Sequence, residues 1–116
     1  IMELKKLAAI AEYNYIPFAP HNPSGPVANA ATLQLAACCP NFCILEIMYS
    51  DVDYRKFVTN ENLVYENGRI KIGDKPGLGL ELNEEECAKH PYVEHNLRHY
   101  TGALTDIRPP KTEFYF

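Results

Sequence analysis

Apolar and polar residues first alternate along this chain with a helical rhythm. Leu4, Leu7, Ala8 and Ala11 recur at spacings of three and four, with Glu3, Lys5 and Lys6 between them. The rhythm predicts an amphipathic helix over 1–13, its charged residues facing away from the apolar side. "YIPFAP" at 15–20 reads as a short strand, weakened at Pro17, which cannot donate to a sheet ladder. In "VANAATLQLAACC" only Asn29, Thr32 and Gln34 interrupt the apolar run. It predicts a second helix over 26–39, capped by Ser24 or Gly25, with Pro26 in its first position and an end before Pro40. A helix apolar on nearly every side is expected to be buried on more than one of them. "FCILEIM" at 42–48 has the pattern of a strand covered on both faces in a parallel sheet.

The order helix, strand, helix, strand predicts an α/β fold with the two strands parallel and joined by a right-handed crossover. The second half has a different grain. Residues 51–58 are polar and aromatic and suit a single helical turn. "LVYENGRIKI" predicts a hairpin turning at Asn67-Gly68. "DKPGLGLEL" reads as an extended, glycine-punctuated segment. "NEEECAKH" predicts a short helix capped by Asn83, with an acidic first turn and an end before Pro91. Residues 92–116 read as irregular.

Composition narrows the function classes. The chain has 116 residues, is 47% hydrophobic and carries eight Tyr and five Phe, which excludes a disordered tail. A net charge of -4 without a basic run argues against nucleic acid as a partner. No apolar stretch reaches the roughly 18–20 residues that span a bilayer. The opening "IMELKK" places Ile before the first Met and has no signal-peptide pattern, as expected of a piece of a longer polypeptide. Cys38, Cys39, Cys43 and Cys87 fit no zinc spacing. They read as small buried thiols in a reducing, cytoplasmic compartment. His90, His95 and His99 cannot share one helix face across Pro91, so they do not read as a metal site. Glu84, Glu85 and Glu86 read as a solvated helix start. "GDKPGLG" lacks the residue order of a phosphate loop.

The chemistry concentrates at two residues. His21 and Glu46 each end a predicted strand, and the two strands are consecutive. Ligands of parallel α/β folds bind outside the carboxyl ends of the strands, and neighbouring strands lie about 4.8 Å apart. The pair is therefore expected to face one cavity. Histidine moves protons near neutral pH. A carboxyl buried among Ile44, Leu45, Ile47 and Met48 is expected to have a raised pKa and to donate a hydrogen bond to a developing oxyanion. A strand-end histidine that merely holds structure is the plain alternative. An unpaired buried glutamate is harder to account for that way.

"APHNPSGPVANAATLQLAACCPNFCILE" resembles the seventh-to-eighth strand region of the enolase superfamily, mandelate racemase subgroup, and most closely the sugar-acid dehydratases of the galactonate dehydratase type. "KPGLGLEL" at 75–82 resembles the segment by which such chains return to their capping domain. "LRHYTGALTDI" at 97–107 resembles the closing stretch. The resemblance implies the C-terminal portion of a (β/α)8 TIM-type barrel: residues 1–50 as its last strands and helices, and 51–116 as the hairpin-bearing return segment toward the capping domain. It implies His21 as the general base taking the proton next to a carboxylate. Glu46 would hydrogen-bond the substrate carboxylate or its enolate oxygen, and Asn22 would touch a sugar hydroxyl, or serve as a turn residue. It also implies Mg2+ held by carboxylates upstream of this chain, with an upstream Asp orienting the histidine. The substrate would be a small sugar acid losing water to give a 2-keto-3-deoxy acid, and the full-length protein a homo-oligomer. A racemase or epimerase of the same superfamily and a non-catalytic interaction module are the competing readings.

Overall fold

The computed structural model describes residues 1–48, 52–60 and 63–94. Helix α1 spans Met2–Tyr13 and α2 spans Pro26–Ala37. A 3-10 turn follows at Asp53–Phe57, then the strands β1 (Tyr65–Glu66) and β2 (Arg69–Ile70), then helix α3 (Glu84–Ala88).

α1 ends in a left-handed residue, Tyr15 at φ 56. The Ile16 N–H reaches the Ala11 carbonyl at 2.9 Å, and the Tyr15 N–H reaches Glu12 at 2.9 Å. This is the Schellman pattern, which satisfies the last helical carbonyls and turns the chain back along the helix. α2 starts as its sequence demands. Gly25 is the N-cap in an extended conformation and Pro26 occupies the first turn, where its missing N–H costs nothing.

The predicted strands 15–20 and 42–48 are reduced to one parallel bridge, Phe18 with Phe42. Phe18 N–H donates to the Asn41 carbonyl at 2.8 Å, and Cys43 N–H to the Phe18 carbonyl at 2.9 Å. The parallel pairing is as predicted; its extent is not. Nor is 42–48 covered on both faces, since Phe42, Ile44 and Met48 are exposed. A central strand needs a neighbour on each side, and here the Phe18 segment is the one neighbour among the described residues.

The core lies where α1 meets the end of α2. Ala8, Leu35 and Cys39 are buried together, with Phe18 packed against them. Leu35 is 1% exposed. The apolar face predicted for α1 contributes only Ala8, because Leu4, Leu7 and Ile10 remain exposed. Lys5 corrects the expectation that it faces away. Its Nζ donates to the Cys38 carbonyl at the C-terminus of α2. Unpaired carbonyls and the negative end of the helix dipole make that end a natural seat for an ammonium. On α2, Asn29, Ala30, Leu33 and Leu35 are buried, as an all-round apolar helix requires.

In the second half, Asn67 (φ 50) and Gly68 (φ 70) form the predicted turn between β1 and β2, pairing Tyr65 with Ile70 and Glu66 with Arg69. Positive φ at both central residues gives the turn a twist that matches the strands. Thr59 bridges Leu82 antiparallel, tying the 3-10 turn region to the entrance of α3. Asn83 caps α3, its side chain accepting the Glu86 N–H at 3.1 Å. The stretch 97–107, His95, His99 and the rest of 95–116 lie outside the described residues.

Candidate active site

The site is built at the step from the Phe18 segment into α2. In a parallel ladder bridged at Phe18–Phe42, the next regular bonds would run from residue 20 N–H to the Cys43 carbonyl and from Leu45 N–H to the residue 20 carbonyl. Residue 20 is proline and has no N–H. The Pro20 carbonyl instead accepts from Glu46 N–H at 3.2 Å, one residue further along. This offset has a consequence for side chains. In the unshifted register His21 pairs with Leu45, and Glu46 points to the opposite face, because side chains alternate along a strand. The one-residue step brings His21 and Glu46 to the same face.

Their side chains then meet. His21 Nδ1 is hydrogen-bonded to Glu46 Oε2 across 25 residues of sequence. The carboxylate accepts and Nδ1–H donates, which leaves Nε2 as the basic nitrogen. The side chains are 76% and 56% exposed. Glu46 is thus not buried among its apolar neighbours, and the burial behind the expected protonated carboxyl is missing in this chain. The reason is again the uncovered face of residues 42–48. The sequence reading placed Glu46 on the substrate and an upstream Asp on His21; here Glu46 itself engages Nδ1.

Asn22 is turned inward and is 4% exposed. Its Nδ2 donates to Thr32 Oγ1 at 2.9 Å, and its Oδ1 accepts the Ser24 N–H at 3.3 Å. These bonds fold the loop 21–25 onto the first turns of α2. The loop is also held from outside. Arg55, on the 3-10 turn, donates from Nη1 to the Ser24 carbonyl at 2.8 Å. Sequence reasoning missed Arg55, because a lone cation in a polar-aromatic stretch carries no local signal of its target. Beyond Glu46, the Met48 carbonyl accepts from Asn29 Nδ2 at 3.5 Å, and the Asn29 Oδ1 is buried without a partner among the described residues.

The other candidates fall into place as structure. Of the four cysteines only Cys39 is buried, while Cys38 and Cys43 are exposed and Cys87 is intermediate, so the all-buried expectation holds for one of them. Desolvation pushes the Cys39 thiol pKa up, which makes it inert. Glu86 is not simply solvated. Its carboxylate accepts from Lys89 Nζ at 2.6 Å and lies 3.1 Å from His90 Nε2, and those bonds, Lys89 first, lower its pKa. The His90 ring stacks on Tyr54 at 3.7 Å. Among the described residues no three His, Cys, Asp or Glu side chains converge as a metal site, so these residues alone do not fit a bound magnesium. A separate cavity of ≈ 330 Å³ lies between α2 and residues 63–80, and neither His21 nor Glu46 lines it. No helix among the described residues is long and apolar enough to cross a membrane.

Comparison with known proteins places this arrangement. Residues 1–86 match the family described as enolase C-terminal domain-like, a TIM-barrel-type enzyme fold. A mandelate racemase/muconate lactonizing enzyme from Jannaschia superposes with a TM-score of 0.74 at 31% identity, covering 83% of this chain and 24% of that one. A candidate L-alanine-DL-glutamate epimerase from Burkholderia xenovorans, bound to magnesium and fumarate, superposes at 0.70 and 32%, covering 74% and 21%. The chain belongs to the enolase C-terminal domain-like family, and its structural neighbours are of the mandelate racemase type.

Among curated relatives, a D-galactonate dehydratase family member of Streptomyces bingchenggensis is 38% identical, over 91% of this chain and 27% of that protein. A D-xylonate dehydratase of Haloferax volcanii is 36% identical, over 76% of this chain and 21% of that protein. The chain therefore spans about a quarter of the length of the curated relatives it matches.

Proposed function

We propose that this chain is the C-terminal part of a sugar-acid dehydratase, a carbon–oxygen lyase, in which His21 is the general base. Residues 1–50 would supply the last strands and helices of the barrel, and 51–116 the return toward a capping domain. The exposed apolar side chains of α1 and of 42–48 are then surfaces for the remaining barrel to cover. The observation that carries the reading is the His21–Glu46 pair, joined by a hydrogen bond at the ends of two parallel-paired segments. The names of the curated relatives supply the substrate class.

Glu46 fixes the proton on His21 Nδ1 and stabilises the imidazolium that forms when Nε2 takes the proton α to the substrate carboxylate. The electron pair of that C–H bond forms a carbon–carbon double bond as the β-hydroxyl leaves as water with the proton that the His21 imidazolium returns, and the enol tautomerises to a 2-keto-3-deoxy acid. The Asn22 Nδ2 has a second N–H beyond the one given to Thr32, and a contact to a substrate hydroxyl would use it. Magnesium, when bound, supplies charge stabilisation for the carboxylate; its ligands would come from outside the described residues. The similarity to an epimerase supports a second reading, in which the same proton is removed and returned with inversion.

The test uses the full-length polypeptide that carries this sequence, given aldonates and aldarates with magnesium. The expected result is a 2-keto-3-deoxy product by NMR, and a loss of roughly 10²–10⁴-fold in His21→Asn, the usual share of a general base. Inverted sugar acid without loss of water selects the epimerase. Full activity in His21→Asn sinks both.

A further inference from the structure

The loop that carries His21 has few internal restraints. Between His21 and α2 lie Asn22, Pro23, Ser24 and Gly25, and among the described residues Asn22 ties the loop to the helix by its side chain. His21 and Ser24 are exposed. One tie comes from a distant part of the chain, the bond from Arg55 Nη1 to the Ser24 carbonyl, 31 residues away in sequence. Arg55 sits on a 3-10 turn whose following residues are fixed by the Thr59–Leu82 bridge. Ser24 is three residues from His21, and Pro23 holds φ near about −65° on that short path. Little torsional freedom remains to absorb a displacement of Ser24 before it reaches His21.

We propose that Arg55 is a positioning residue for His21, setting the base against its substrate by holding the Ser24 carbonyl. This rests on the reading of His21 as the general base. A guanidinium suits the task. It keeps its charge at any working pH, and a charge-assisted bond to a carbonyl is stronger than a neutral one. Geometry at a proton-transfer centre matters at the ångström scale, and a misplacement of about 1 Å costs on the order of 10²-fold. Arg55 acts on where the base sits and not on how substrate binds, so its removal is expected in kcat and not in KM.

The experiment compares Arg55→Met and Arg55→Lys with His21→Asn in the full-length protein. Hydrogen–deuterium exchange is read on the peptide containing 21–25, beside steady-state kinetics with magnesium and the sugar acid that the full-length protein dehydrates. Arg55→Met is expected to speed exchange of that peptide by roughly tenfold, as a lost local tie does. It is expected to lower kcat by about 10- to 100-fold with KM within about twofold. Arg55→Lys, which still donates to a carbonyl, is expected to recover both to within about threefold. Unchanged exchange in Arg55→Met overturns the proposal even where His21→Asn is inactive. So does a rise in KM at constant kcat, which makes Arg55 a substrate ligand. Full activity in His21→Asn instead removes the reading beneath it, and that outcome is scored on a different variant.

Discussion

Asn22 offers a quantitative test of what the His21 loop is made for. Its amide is buried and spans two partners, Thr32 Oγ1 at 2.9 Å and the Ser24 N–H at 3.3 Å. The Thr32 bond is short and half-buried, so it contributes about 1 kcal/mol net. The Ser24 bond is longer, though also part-buried, and contributes less, a few tenths of a kcal/mol (~0.3). Truncation also leaves a small void where the amide packed. Asn22→Ala is therefore expected to destabilise by about 2 kcal/mol. Thr32→Val removes the other half of the main bond, together with the Thr32 hydroxyl's own bond to the Ala28 carbonyl at 2.9 Å. The double variant isolates the coupling, expected near ~1 kcal/mol. Urea midpoints of the four full-length proteins give these values, with KM measured on each. Additivity within about 0.3 kcal/mol would refute the reasoning by showing that the Thr32 bond does not hold Asn22, whereas a rise in KM for Asn22→Ala reads the separate contact to a substrate hydroxyl.

Two further outcomes follow from features away from the site. Leu35 is the central side chain between Ala8, Cys39 and Phe18, and the small Ala8 cannot fill the space it leaves, so Leu35→Ala is expected to cost about 3 kcal/mol by urea titration; a loss below about 1 kcal/mol would deny that this cluster is the core. Glu86 has a folded pKa below its ordinary 4.5, so the stabilisation of α3 by Lys89 and His90 is present above about that pH and lost as pH falls through the lowered value. Lys89→Met is expected to move the Glu86 titration upward, as read by carboxyl ¹³C NMR, and an unmoved titration would remove Lys89 as the main cause.

The sequence made some of this legible and hid the rest for identifiable reasons. α2, the turn at Asn67-Gly68 and the Asn83 cap are local, since each follows from residues within a few positions of one another. The meeting of His21 and Glu46 was legible from their places at two strand ends. The offset that permits it was not, because counting alternate residues from the Phe18–Phe42 bridge sends the two side chains to opposite faces. Coverage was misjudged as well. The apolar run 42–48 reads as a buried strand, yet burial is a property of what lies alongside, and Ile44 and Met48 have no strand beside them among the described residues. Lys5 and Arg55 were invisible for a related reason. Each cation reaches a backbone carbonyl more than thirty positions away, and a carbonyl has no identity in a sequence.

The proline step at residue 20 decides which changes of length this fold can accept. The pair does not depend on the full count of the 24 positions between its members, most of which are loop and helix. It depends on two short counts from the bridge: three residues from Phe18 to His21, and four from Phe42 to Glu46. One count is odd and the other even, and the missing N–H of Pro20 reconciles them. A helical turn inserted into α2 leaves that parity untouched. A single residue added between Phe42 and Glu46 reverses it and turns the carboxylate away from the imidazole. Helix α2 can change length by whole turns, while the few residues between the bridge and the pair are held to a fixed count.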